Sequence, residues 1–238
     1  MPSPVSIYLS NHQIIKVYNF AQLTVSNHYH RMWNDDSVGI QKIIIGKAGE
    51  VAIETYLKMN GIETENVNTR IDLGADKFDL QVGDSFISVK TKLAKCSVPS
   101  PSRYSQWFLH IPQDQYDKIK NSCDYIAAVF IGNISGNVEW ESITSLKVDI
   151  IGIVSVDKFD SIKILHKAGQ EIAEGFVLPP PDSYAVSWKD LSSFSDVVDQ
   201  LRIHNDEIGL EEVDLLLLEK RLDVLEELFN KGQVIVPF

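Results

Sequence analysis

Three short pieces of this chain carry side chains that together could hydrolyse a phosphodiester. A helix-forming stretch contains Gly49-Glu50, an alternating stretch carries Asp79, and a second alternating stretch carries Lys90, eleven positions on (90 − 79 = 11). On an extended strand, alternate side chains share a face. Ser88, Lys90 and Lys92 therefore stand together and can meet Asp79 across a hairpin. A helix packed on that sheet can bring Glu50 to the same spot, with Glu54 one turn further on the same side. Two carboxylates and a lysine at a sheet edge can hold a divalent cation beside a phosphate, and oxygen donors select Mg²⁺ or Mn²⁺. The cation would neutralise charge developing on the phosphate and lower the pKa of a bound water. The Lys90 ammonium would orient that water or stabilise the charge.

Each of these residues also has a plainer reading. Glu50 is an acid early in a helix, which the macrodipole favours on its own. Asp79 is disfavoured in a strand between Phe78 and Leu80, unless it simply faces solvent. Lys90 can be a solvated lysine on an alternating strand. Asp72, Asp76 and Asp84 lie near turns and read as solvated or capping residues, with Asp76 the second choice for the site.

The elements that must position these groups follow from periodicity. Val51, Ala52, Tyr56 and Leu57 fall at helical spacing in a helix over 43–59, and Asn60-Gly61 stops it. Phe78–Val82 and Phe86–Thr91 alternate around Gly83-Asp84, which predicts a hairpin. A strand over 106–111, a helix over 113–122, and apolar strands over 125–131 and 148–154 follow. The strand at 125–131 is apolar enough to be buried on both faces. Ile14–Tyr18 fits a short strand or part of a helix. Asn34–Ser37 reads as a turn or a cap. Pro179-Pro180-Pro181 marks a break, beyond which the chain turns helical. There Leu215, Leu218, Leu222, Leu225 and Phe229 recur at 3-4-3-4 spacing, a stripe that packs on the domain or on a second copy.

Gly49-Glu50, then Phe78-Asp79-Leu80, then Ile87-Ser88-Val89-Lys90-Thr91 resembles the PD-(D/E)XK nuclease superfamily over roughly residues 43–131. The resemblance implies an α/β fold, a restriction-endonuclease-like mixed central sheet flanked by helices. It implies Glu50 and Asp79 as metal ligands, the Val89 carbonyl as a further ligand, and Lys90 as the catalytic lysine. One position departs: Ser88 stands where the family has an acid. Either Glu50 supplies the missing charge, or Ser88 ligates through water, or the site binds metal weakly and is inactive.

Lys92, Lys95 and Arg103 follow in a Ser- and Pro-containing loop suited to phosphate contacts, and Tyr104 and Trp107 could stack on bases. The alternative is a solvated loop with Trp107 in the core. His28 and His30 form an H-x-H with no further zinc ligand nearby in sequence. Cys96 and Cys123 carry no C-x-x-C or paired histidine motif. Neither a Walker A motif nor a dinucleotide glycine fingerprint is present, so no nucleotide cofactor is expected.

Composition bounds the rest. The chain has 238 residues, 44% hydrophobic, with a net charge of −11, and no apolar run long enough for a membrane span. That charge excludes binding nucleic acid by bulk positive charge but leaves room for a local basic cleft. From Lys42 to Arg103 nine bases meet eight acids (9 − 8 = +1), whereas from His204 to Phe238 three bases meet nine acids (3 − 9 = −6). Two cysteines and no signal-peptide pattern fit a cytoplasmic protein. The expected organisation is an N-terminal extension (1–42), a nuclease-like core (43–178) and a helical C-terminal region (179–238) for packing or dimerisation. The expected function is a Mg²⁺-dependent DNA endonuclease of restriction or phage-defence type (Mn²⁺ being the other candidate metal), acting on duplex DNA as a homodimer. The alternative is a catalytically inactive DNA-binding or interaction subunit of the same fold.

Overall fold

The computed structural model describes residues 1–26, 36–64, 78–134, 138–173 and 176–207. It is α/β, with a mixed five-stranded sheet covered on both faces. The strands are β1 (Val5–Ser10), β2 (Leu80–Val82), β3 (Ser85–Leu93), β5 (Tyr125–Ile131) and β6 (Ser145–Ser155), in the order β1-β6-β5-β3-β2; β4 (Phe108–Pro112) lies outside this sheet. Only β3 and β5 run parallel, from Ile87↔Tyr125 to Leu93↔Ile131; the other pairs are antiparallel. A parallel pair needs a crossover, and β4 with helix α3 (Gln113–Lys120) lies in that connection.

Strand β5 matches its expected bounds and is buried on both faces, as its unbroken apolar run requires. Its Ala127, Val129 and Ile131 join a core with helices α1 (Asn11–Ser26), α2 (Asp36–Met59) and α5 (Phe194–Glu207). Its Ile126, Ala128 and Phe130 join a second core on the other face. That core holds α3, helix α4 (Val156–Ile162) and a small sheet of β4, β7 (Ile164–His166) and β10 (Ser183–Ser187), with β10 in the middle. A two-stranded hairpin, β8 (Glu171–Ala173) and β9 (Phe176–Val177), completes the described elements.

Several elements differ from expectation. Ile14–Tyr18 is helix, within α1, whose Ile14, Val17 and Ala21 face the core at 3-4 spacing. Helix α2 begins at Asp36 rather than near 43, so Asp36 and Ser37 lie in it. It ends as read: Gly61 has φ 72°, its N–H donates to Lys58 O, and the Ile62 N–H donates to Leu57 O. That pair of bonds is the Schellman closure that glycine favours. The chain after the prolines does not turn helical at once; it first forms β10, whose Val186 is buried against β4. β1 falls in the stretch read as an extension, yet it is paired with β6 along its whole length. The leucine stripe from Leu215 to Phe229, His28, His30, Asp72 and Asp76 lie outside the described residues.

Beneath the small sheet, α3 and α4 are tied by charge. Asp160 of α4 accepts from Lys120 Nζ (2.8 Å), from Tyr116 Oη (3.1 Å) and from Lys163 Nζ. Lys120, then Lys163, hold its carboxyl well below the usual range. A carboxylate depressed in the folded state adds stability that is present above its ordinary pKa and is lost as pH falls toward the folded value. Asp160→Asn is therefore expected to lower the thermal midpoint at pH 7, with the difference from the parent shrinking below pH 4. Thermal melts of both proteins across that range measure it.

Candidate metal and phosphate site on strand β3

The hairpin that carries the site is tight. Gly83 and Asp84 form a two-residue loop between Val82 and Ser85, and Gly83 adopts φ 55°. A glycine with positive φ at the first central position is what a type II′ turn demands. β2 pairs with β3 only from Leu80↔Ile87 to Val82↔Ser85, so from Ser88 onward no described strand pairs with that edge of β3.

Asp79 fills this gap with its side chain. Its backbone N–H donates to Ile87 O at 3.0 Å. Its Oδ2 accepts from the Val89 N–H at 2.6 Å and from Ser88 Oγ at 3.2 Å. Phe78 and Asp79 therefore stand outside the strand expected to contain them, because the carboxylate replaces the next rung of the ladder. Ser88, at 3% exposure, acts here as a donor to Asp79. Lys90 is half-buried two positions on. Asp79 and Lys90 both act electrostatically on Cys123, Asp79 raising its pKa and Lys90 lowering it; burial is the main reason that thiol is pushed up to about 11.

Glu50 comes from the other side. Ile87 and Val89 point into the core shared with α2, so Ser88, Lys90 and Lys92 point to the opposite face. Helix α2 lies close against β3 at Gly49: a β-carbon there would sit 1.9 Å from Thr91 Oγ1. Glu50, next along the helix, is 9% exposed, and its Oε2 accepts from Lys47 Nζ at 2.7 Å. Lys47 is itself 3% exposed, with its ammonium 5.2 Å from the Phe20 ring centre. Lys90 therefore lies on the face of β3 away from α2, so the strand separates it from the helix that carries Glu50, where the sequence suggested that the two would meet at one spot. Glu54 does not join them in this arrangement: it pairs with Lys58 and lines a cleft of about 430 Å³ between α1 and α2. Among the described residues no three His, Cys, Asp or Glu side chains converge on one point.

The expected substrate-contact residues separate. Lys92 is exposed, with its ammonium 4.6 Å above the Trp107 ring; burial of the ammonium depresses its pKa, against a smaller upward pull from Cys96. Lys95 and Arg103 are exposed, Lys95 lying beyond the end of β3, roughly 16 Å of extended chain past Lys90. Tyr104 is wholly buried, edge-on to Trp188, so it cannot stack on a base. Trp107 is half-buried against Phe130 and Trp188.

Sequence reasoning missed Lys47 and His110. Lys47 had a signal, the i, i+3 spacing to Glu50. His110 had none: its neighbour His166 is 56 residues away, at 2.9 Å.

Gly49→Ala is expected to cost about 1–3 kcal/mol, because the new methyl overlaps the Thr91 hydroxyl. That hydroxyl is buried without a hydrogen-bond partner. Adding Thr91→Ala to the Gly49→Ala protein should therefore recover most of the loss. Denaturant unfolding of the two single variants and the double variant measures the coupling.

Comparison with protein-family models, with curated proteins and with solved structures finds no match.

Proposed function

We propose that the chain is a metal-dependent endonuclease that hydrolyses DNA phosphodiester bonds, of restriction or phage-defence type, with a restriction-endonuclease-like core. The observation that carries this reading is the Asp79 carboxylate held by the Ser88 hydroxyl and the Val89 N–H at the unpaired edge of β3, on the strand that carries Lys90, with Gly49 bringing helix α2 against the same strand. The fold class and the order of helix, hairpin, strand, helix and strand support it.

The donors fit a hard divalent cation such as Mg²⁺: carboxylate oxygens of Asp79 and Glu50 and the carbonyl of Val89. Once bound, Mg²⁺ or Mn²⁺ supplies charge neutralisation at the phosphate and a water of lowered pKa. The chain's own groups do the positioning. The Val89 N–H and the Ser88 hydroxyl orient Asp79. Lys47 holds the buried Glu50 carboxylate through an ion pair of 2.7 Å. Lys90 donates to the attacking water or to a phosphate oxygen. Lys92, Lys95 and Arg103 contact phosphates along the strand's exit. The leucine stripe would pack on the enzyme or join two copies, and two copies would allow both strands of a duplex to be cut.

A second reading is a nuclease-fold DNA-binding or interaction subunit without activity. Two observations favour it: Ser88, in the position where that superfamily has an acid, is a donor to Asp79, and Glu50 is engaged by Lys47.

The test is incubation of the protein with supercoiled plasmid and a phage genome, in Mg²⁺, Mn²⁺ or EDTA. Asp79→Asn is the useful variant, because its amide oxygen still accepts the Val89 N–H. Asp79→Ala orphans that N–H at a cost of about 1–3 kcal/mol. Cutting is expected with either metal and should fall at least about 100-fold in Asp79→Asn and in Lys90→Ala. Metal-dependent cutting left intact in both variants rejects this site. Absence of cutting with any metal, while salt-sensitive DNA binding persists, makes the inactive subunit the correct reading.

A further inference from the structure

The face of β3 that carries Lys90 also carries an aromatic ring fixed from behind. Lys92 lies opposite Phe130 in the ladder between β3 and β5, and the Phe130 ring meets Trp107 edge-on at 5.7 Å. The Trp188 ring packs on Trp107 at 5.1 Å, its plane tilted by 36°. Phe130 and Trp188 are wholly buried, so the core grips Trp107 from within. The backbone grips it too: the Trp107 N–H donates to Tyr104 O at 3.2 Å, and the Trp107 carbonyl accepts the Trp188 N–H at 2.8 Å. The Trp107 side chain nevertheless stays half-buried. Among the described residues, the group that covers it from the solvent side is the ammonium of the exposed Lys92, 4.6 Å from the ring centre.

This cover is easily exchanged. A cation–π contact from an exposed lysine is weak, whereas a nucleobase stacked on a fixed aromatic ring is held more firmly. A neutral base also suits its surroundings. Displaced from the ring, the Lys92 ammonium can turn to the phosphate that the base carries, which is a better partner than a π face. A cationic occupant would have to sit beside that ammonium and would be repelled by it. Lys92 lies two residues beyond Lys90 on one strand face, roughly 7 Å along, within reach of a neighbouring nucleotide. A base inside a duplex has both faces covered by its neighbours, so the ring can take only a nucleotide that has left the stack.

We propose that Trp107 is a stacking platform for an unpaired base beside the scissile phosphate, with Lys92 as its removable cover and as the donor to that nucleotide's phosphate. The substrate class is then single-stranded or locally opened nucleic acid. The placing of the scissile phosphate at Lys90 rests on the nuclease reading; the platform stands on the geometry of Trp107 and Lys92.

The test needs no cleavage. Short single-stranded oligonucleotides, one intact and a set each lacking one base, are bound to the protein in EDTA. Loss of the base at one position should weaken binding about tenfold, and loss elsewhere should change it little. Trp107→Leu should bind the intact strand about as weakly as the parent binds the strand lacking that base, and the base loss should then cost nothing more. Trp107→Phe keeps an aromatic face and should retain most of the effect. Lys92→Ala should lower the salt slope of binding by about one and leave the base-loss effect in place. A parent protein that binds every gapped strand as tightly as the intact one overturns the platform, even where plasmid is cut. A base-loss effect that survives Trp107→Leu overturns it as well. Tight binding of a trimethyllysine peptide, with no effect of base loss, assigns the ring to a cation and also overturns it. A base-loss effect without plasmid cutting keeps the platform and rejects only the hydrolysis.

Discussion

The approach of α2 to β3 at Gly49 sets the geometry on which the candidate site depends. With no side chain at that position, the helix backbone comes within contact of Thr91, on the strand that carries Ser88 and Lys90, and Glu50 is the next residue of that helix. A β-carbon at position 49 would force helix and strand apart. The helix would still have its apolar face of Ile44, Ala48, Val51, Ala52, Ile53 and Leu57 to bury. Burial therefore fixes that the helix packs on this sheet, and the glycine fixes how closely.

A second constraint is the short length of β2. Because it pairs with β3 over three residues only, the Val89 N–H would lack a strand partner. The Asp79 carboxylate satisfies it and accepts the Ser88 hydroxyl as well. This one arrangement serves the structure and, in the proposed function, would serve the chemistry. A carboxylate fixed by a backbone donor is a good strand cap, and it is also a preorganised cation ligand. The Lys47–Glu50 pair has the same double character. A buried ion pair gains little net stability over an apolar pair, but it holds the Glu50 carboxylate in one place.

Much of this was legible in the sequence, for identifiable reasons. β5 and the hairpin turn were readable because an unbroken apolar run and a Gly-Asp pair have few other uses. The close of α2 was readable from Asn60-Gly61. The sequence also brought Asp79 next to Ser88, since a short hairpin leaves little freedom of register, although Asp79 lies one residue outside β2 and reaches β3 by its side chain. What was not legible depends on long-range partners. The strand β1 has a weak pattern of its own and is stabilised by β6, some 140 residues away. The strand β10, hidden between prolines and helix, is held by β4 and β7. The burial of Tyr104 and the meeting of His110 with His166 are likewise consequences of that small sheet. Periodicity within a window cannot report them.

The central claim is that Asp79 and Glu50, approaching β3 from its edge and from one face, share a divalent cation next to Lys90. Crystals of the protein grown with Mn²⁺, and diffraction data collected at an energy where manganese scatters anomalously, test it most directly. The account predicts a peak about 2.1 Å from an Asp79 oxygen and from a Glu50 oxygen, with Lys47 drawn off Glu50 or sharing it. An absence of any peak at Asp79, with Glu50 still closed on Lys47, would contradict it.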